Sequence, residues 1–96
     1  MKYIFIVNSV SGKGKTAKEF IPKVEKYLSE HPEIDGELYL TKFGGDAMKY
    51  TEERAKEGKD ITFFACGGDG TLYEVVNGAY KYKNANIGVI PLGSGN

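Results

Sequence analysis

Ninety-six residues, with 41% apolar and 12% aromatic content, are enough for one folded domain with a modest core and too few for two. Thirteen basic residues balance thirteen acidic ones, which leaves no cationic excess of the kind a nucleic-acid partner selects. The single cysteine, Cys66, cannot close an internal disulfide, so a reducing compartment is expected.

Met1-Lys2 leads directly into the apolar run Tyr3–Val7, which polar Asn8-Ser9 ends well before a secretory or membrane-spanning segment could form. A cytoplasmic location is therefore expected, with contact at a membrane surface left open. Tyr3–Val7 reads as a first strand, continuously apolar like strands buried on both faces of a parallel sheet. A polar loop with three hydroxyls, two glycines and two lysines follows, from Asn8 to Ala17. Gly14-Lys15-Thr16 resembles the end of a P-loop, but the required earlier glycine is Ser9. Gly12 through Ala17 fits a relaxed dinucleotide fingerprint that begins four residues too late. Neither motif is met; a loop suited to phosphate remains, beside the plain reading of a solvated connection.

Phe20, Val24 and Leu28 then recur at helical spacing. Pro22 puts the start of this first helix near Glu19 or kinks it. Glu37–Leu40 is a second strand. It is followed by Thr41-Lys42-Phe43-Gly44-Gly45-Asp46, in which Asp46 is most simply an N-cap. A polar helix from about Asp46 to Glu57 stops at Gly58, with Glu52 and Lys56 forming an i,i+4 pair. Ile61–Cys66 is a third strand. Leu72, Val75, Val76 and Ala79 stripe a third helix, and Ile87–Ile90 is a fourth strand.

The order β-α-β-α-β-α-β predicts an α/β fold: a three-layer, doubly wound, mainly parallel sheet of about four strands with three helices. Ligands bind such sheets beyond the carboxyl ends of the strands. Nine of the thirteen glycines (12, 14, 44, 45, 67, 68, 70, 93 and 95) fall in the segments that follow strands, and that edge is the expected site.

The most specific segment runs from Cys66 to Gly78. Gly67, Gly68 and Gly70 permit positive φ and close approach of a phosphate to main-chain N–H groups, at a helix start that favours anions. Asp69 would stand beside that anion, where a carboxylate can hold Mg²⁺ or receive a hydroxyl proton. A structural reading competes, because Thr71-Leu72-Tyr73-Glu74 also forms a capping box. Pro91 through Asn96 could cradle phosphate or ribose, or be a frayed end. His31, before Pro32, has no evident partner, no His/Cys spacing suits a metal, and Tyr80 and Tyr82 fit amphipathic packing better than a contact surface.

Taken together, these segments resemble the diacylglycerol kinase catalytic domain, shared with sphingosine and ceramide kinases and bacterial lipid kinases. Asn8 through Lys15 is similar to that family's Asn-Pro-x-Ser-Gly-Lys-Gly loop. Gly67 through Gly78 is similar to its Gly-Gly-Asp-Gly-Thr-Leu-x-Glu-Val-Val-Asn-Gly signature, and Pro91 through Asn96 to its Pro-x-Gly-Thr-x-Asn loop. Ser9 replaces the family's proline, Ser94 its threonine, and Asp46 stands where many members have histidine.

The resemblance implies ATP with Mg²⁺, and transfer of the γ-phosphoryl group to a lipid alcohol at a membrane surface. Carried over by position, Asn8, Ser11, Gly12 and Lys13 would line the phosphates and Thr41 would meet the nucleotide. Gly67, Gly68, Gly70 and Thr71 would wrap the phosphates, with Gly93 and Ser94 close by. Glu74 would reach into the nucleotide site. Asp69 would serve phosphoryl transfer, through Mg²⁺ or by positioning the attacking hydroxyl. The resemblance also implies that residues 1–96 are the N-terminal, nucleotide-binding part of a longer protein. A β-rich lipid-binding domain would lie outside the span, and the span alone would have little activity. A bare sheet edge would be open to a second copy, hence a homodimer. An NAD kinase-like enzyme, which shares Gly-Gly-Asp-Gly-Thr, and a non-catalytic nucleotide-binding module are the alternatives.

Overall fold

The computed structural model describes residues 1–8 and 15–92. Its elements alternate as β1 (Lys2–Val7), α1 (Lys15–Glu30), β2 (Asp35–Leu40), α2 (Asp46–Ala55), β3 (Ile61–Gly67), α3 (Asp69–Ala79) and β4 (Ala85–Pro91). All strand pairs are parallel, in the order β2-β1-β3-β4. The expected α/β architecture is therefore the observed one.

Strand periodicity divides the core between the two faces of this sheet. Ile4 and Ile6 of β1 and Ile61, Phe63 and Ala65 of β3 meet Ala47 and Ala55 of α2 and Val75 and Ala79 of α3. Val7 and Cys66 turn to the opposite face with Ala17 of α1, and Phe5, Phe20, Ile21 and Phe64 pack against them. Both faces of β1 and β3 are thus covered, which is why those runs are apolar without alternation. Burial pushes the Cys66 thiol up to about 12. The thiol stays protonated near neutral pH and serves as core.

The first helix settles the position of Pro22. Because α1 begins at Lys15, Pro22 lies in its interior and not in a first turn near Glu19. Pro22 is exposed, and so is Lys18, the residue whose carbonyl loses its usual helical donor to the proline. The middle helix is shorter than its sequence suggests: it ends at Ala55, and Gly58 carries the left-handed φ of 86° that closes the turn. Glu52 is engaged by the Tyr82 hydroxyl at 3.3 Å, which ties α2 to the segment after α3.

Two clamps hold α2 in place. Tyr50 stacks on Tyr39 of β2 with centroids 3.7 Å apart, and Arg54 lies over the Tyr50 ring while its guanidinium donates to Glu37 at 2.6 Å. Lys2 reaches the same Glu37 carboxylate at 2.8 Å. On the other side, α3 approaches α2 through Gly78. A Cβ at that position would stand 2.5 Å from the Met48 carbonyl oxygen. His31, which had no evident partner in sequence, pairs with Glu33 at 3.1 Å and packs against the Tyr27 ring at a tilt of 30°.

Candidate functional site

Beyond their carboxyl ends the strands stay in step. The Thr41 N–H donates to the Val7 carbonyl at 2.9 Å, the Asn8 N–H to that of Cys66 at 3.2 Å, and the Leu92 N–H to that of Gly67 at 3.2 Å. The following segments therefore leave the sheet side by side. The chain leaving β1 crosses to β2 on one flank, and the chain leaving β3 crosses to β4 on the other. The switch point of the sheet, where a crevice opens, lies between β1 and β3.

Asn8 and Thr71 meet across that switch point, the Asn8 amide donating to the Thr71 hydroxyl oxygen at 3.3 Å. Thr71 is 3% exposed and forms the floor of the crevice. Beside it is a cavity of about 160 Å³ lined by Asn8, Thr41, Lys42, Phe43, Gly44, Ala47, Thr71 and Glu74. One wall comes from the start of α3 and the other from the β2–α2 loop.

The α3 wall bears on the glycines. Gly68 is the N-cap residue, and no side chain among the described residues caps the helix, whose first N–H groups have no acceptor within their own helix. Its φ of −100° and ψ of −162° are extended values open to any residue. Among the described residues, a Cβ at Gly68 or at Gly70 would meet nothing within 4 Å. The positive φ expected in this loop is not found at Gly68; the left-handed glycines among the described residues are Gly45 and Gly58. Neither backbone strain nor internal packing accounts for glycine at 68 and 70. What those positions share is unobstructed access to the main chain from outside. Asp69, between them, is exposed.

The β2–α2 wall is held by two carboxylates with roles the sequence did not indicate. Asp46 is not an N-cap: Gly45 occupies that position, and Asp46 is the first helical residue, only 5% exposed. Its carboxylate accepts from the Lys42 N–H at 2.8 Å and from the Tyr39 hydroxyl at 2.9 Å, pinning the loop to β2. Burial, reinforced by that hydrogen bond, pushes the Tyr39 phenol up to about 12, so the hydroxyl remains a donor.

Glu74 does not close a capping box with Thr71 either, because α3 starts three residues earlier than that reading requires. Its carboxylate crosses to α2 and accepts from the Gly45 N–H at 3.2 Å and the Met48 N–H at 3.3 Å, at a helix start with no side-chain cap of its own. The two walls of the cavity are joined through this side chain.

Of the residues singled out in sequence, Asn8, Thr41, Thr71 and Glu74 converge on the cavity, and Gly67, Gly68, Asp69 and Gly70 form the adjoining turn into α3. Ser11, Gly12, Lys13, Gly93 and Ser94 lie outside the described residues. Lys42, Phe43 and Ala47 line the cavity without having been singled out. The alternation of a cation and an aromatic residue before the Gly44-Gly45 pair was the available signal.

The sequence profile of the diacylglycerol kinase catalytic domain matches residues 2–96, nearly the whole chain. The chain belongs to the diacylglycerol kinase catalytic domain family. It is 39% identical over 92 residues to a diacylglycerol kinase of Staphylococcus aureus, covering 95% of this chain and 28% of that protein. It is 36% identical over a 103-residue alignment to sphingoid long chain base kinase 5 of Saccharomyces cerevisiae, covering 99% of this chain and 15% of that one. A crystal structure of a diacylglycerol kinase from Bacillus anthracis str. Sterne superposes with a TM-score of 0.71 at 33% identity, over 97% of this chain and 33% of that chain. The chain thus spans a third or less of each of these lipid kinases. No helix among the described residues is long and apolar enough to cross a membrane.

Proposed function

We propose that this span binds ATP along the carboxyl edge of its sheet. The protein carrying it would transfer the γ-phosphoryl group to a lipid hydroxyl such as that of diacylglycerol. The observation that carries the reading is the start of α3: N–H groups that no described side chain caps, glycines at 68 and 70 whose Cβ positions no described atom approaches within 4 Å, and Asp69 exposed between them. Main-chain donors free of side-chain cover, at the positive end of a helix, suit the phosphates of a nucleotide. Phosphoryl transfer asks mainly for positioning and neutralisation of charge, which amides and one carboxylate can provide.

In this reading Asn8, Ser11, Gly12 and Lys13 line the phosphate side with Gly67, Gly68, Gly70 and Thr71. Thr41 and Glu74 face the nucleotide cavity, and Gly93 and Ser94 lie close by. Asp69 either holds Mg²⁺ or positions the attacking hydroxyl. The fit is to an ion carried in by the nucleotide. Among the described residues no group of three His, Cys, Asp or Glu could hold a metal, whereas Mg²⁺ on a nucleotide commonly takes only one or two carboxylates and keeps its waters. Bound there, Mg²⁺ would neutralise charge on the phosphates. The acceptor pocket, in a β-rich lipid-binding domain, belongs to chain beyond this span, so residues 1–96 alone carry little activity. The intact protein works at a membrane surface from the cytoplasmic side. The exposed apolar side chains of edge strand β4, Ile87 and Val89, leave pairing with a second copy open.

The test is transfer from labelled ATP to a panel of extracted lipids, with NAD as a further acceptor, by the intact protein and its Asp69→Asn variant. Lipid product is expected, with turnover reduced at least about 100-fold in the variant. Label appearing on NAD would replace the lipid kinase with an NAD kinase. Full activity in Asp69→Asn would remove Asp69 from the reaction.

A further inference from the structure

We infer that Phe43 is the platform on which the base of the bound nucleotide stacks, which makes the β2–α2 loop the base-recognition wall of the site; this rests on the nucleotide reading above. Phe43 is 60% exposed although it borders the cavity, and it is the single aromatic residue among those lining it. Gly44 beside it has nothing among the described residues within 4 Å of a Cβ position, so the space next to the ring on that side is open.

An exposed phenylalanine on a mobile loop would make a poor platform, since ordering it on binding would cost part of what stacking contributes. Here the backbone is fixed on both sides of the ring. The Lys42 N–H is held by the Asp46 carboxylate at 2.8 Å, and the Phe43 carbonyl accepts from the Asp46 N–H at 3.1 Å. The Gly45 N–H is held by Glu74. Five hydrogen bonds to two carboxylates and one carbonyl fix the Tyr39–Met48 segment around this side chain before any ligand arrives.

Position supplies the remaining argument. Phosphates held at the start of α3 lie at the end of β3. The β2–α2 loop leaves the sheet two strands away, about 10 Å across, with Asn8 and Thr71 between. A nucleotide extended over that distance brings its base to the Phe43 side. Stacking on a ring tolerates different bases, so Phe43 would contribute affinity and Lys42 or the loop carbonyls any selectivity.

Calorimetric titration of the intact protein with ATP and with inorganic tripolyphosphate tests this. In Phe43→Ala, ATP affinity should fall about tenfold while tripolyphosphate affinity is unchanged. Phe43→Trp should restore ATP binding, and the emission that this indole adds over the unmodified protein should be quenched by ATP and not by tripolyphosphate; the 96 residues of this span contribute no other tryptophan. Unchanged ATP affinity in Phe43→Ala would overturn the stacking role and leave nucleotide binding intact. A raised KM for vesicle-borne lipid with unchanged ATP affinity would overturn it in favour of a lipid contact. Failure of the unmodified protein to bind either ligand would remove the nucleotide reading and this inference with it.

Discussion

Replacing Glu74 separates two roles the residue could have at this site. In the structure its carboxylate accepts two N–H groups at the start of α2, from Gly45 at 3.2 Å and Met48 at 3.3 Å. Fully buried bonds to a charged acceptor contribute about 1.5–3 kcal/mol each. These are half-exposed, so about 1 kcal/mol each is the reasonable scale, within the range measured for helix caps. Glu74→Ala should therefore lower unfolding stability by about 2 kcal/mol. Glu74→Gln should lose about half of that, since its amide keeps one acceptor oxygen but loses the charge that favours a helix start. Urea unfolding of both variants gives the stability differences, and steady-state kinetics gives the functional side. A residue that positions the loop should raise the KM for ATP a few-fold and leave kcat nearly unchanged. If Glu74→Ala costs less than about 0.5 kcal/mol while ATP binding collapses, the carboxylate is spent on the nucleotide and the capping role is wrong.

Two further substitutions test the frame that carries the site. Gly78→Ala should destabilise by roughly 2 kcal/mol or more, because the new methyl group would stand 2.5 Å from the Met48 carbonyl oxygen and 2.9 Å from the Thr51 Cβ. Helix propensity alone predicts the opposite sign, about 1 kcal/mol of gain, so thermal or urea unfolding decides between them. The Arg54 guanidinium, and after it the Lys2 ammonium, hold the Glu37 carboxyl down at about 2 against an ordinary 4.5. A depressed carboxyl stabilises the fold above its unfolded value and loses that contribution as pH falls from about 4.5 towards 2. Glu37 is more than a third exposed, so after allowance for solvent screening Glu37→Gln should cost roughly 1 kcal/mol at pH 7. The gap to the unmodified protein should narrow steadily below pH 4.5; a gap independent of pH would remove Glu37 from the ion-pair network.

The sheet was legible because Tyr3–Val7 and Ile61–Cys66 are apolar on both faces, a pattern that parallel strands impose and amphipathic helices do not. The carboxyl edge was legible because glycine recurs after each strand. Less could be read wherever a short local pattern was satisfied by a partner distant in sequence. Thr71 and Glu74 have the spacing of a capping box, yet Glu74 bonds 29 residues back to Gly45. Asp46 has the position of an N-cap, yet Tyr39 and the Lys42 N–H claim its carboxylate. Pro22 allowed either a helix start near Glu19 or a kink, and packing of Ala17 and Phe20 on the sheet carries α1 through from Lys15, with Pro22 inside it.

The departures at Glu74 and Asp46 share one physical cause, and it bears on how the site works. A cap formed within its own helix fixes one helix end and nothing else. By reaching to α2 instead, Glu74 makes the placement of the β2–α2 wall depend on α3, the helix whose first turn carries Gly68, Asp69 and Gly70. Asp46 anchors the same wall to β2 through Tyr39, and Asn8 joins the end of β1 to Thr71 in α3. Segments that leave three strands are thus referenced to one another by side chains. In a reaction that needs the donor phosphate, a metal ion and a hydroxyl aligned, such cross-links serve better than three separately capped helices, because a misplacement of about 1 Å can cost about 100-fold in rate.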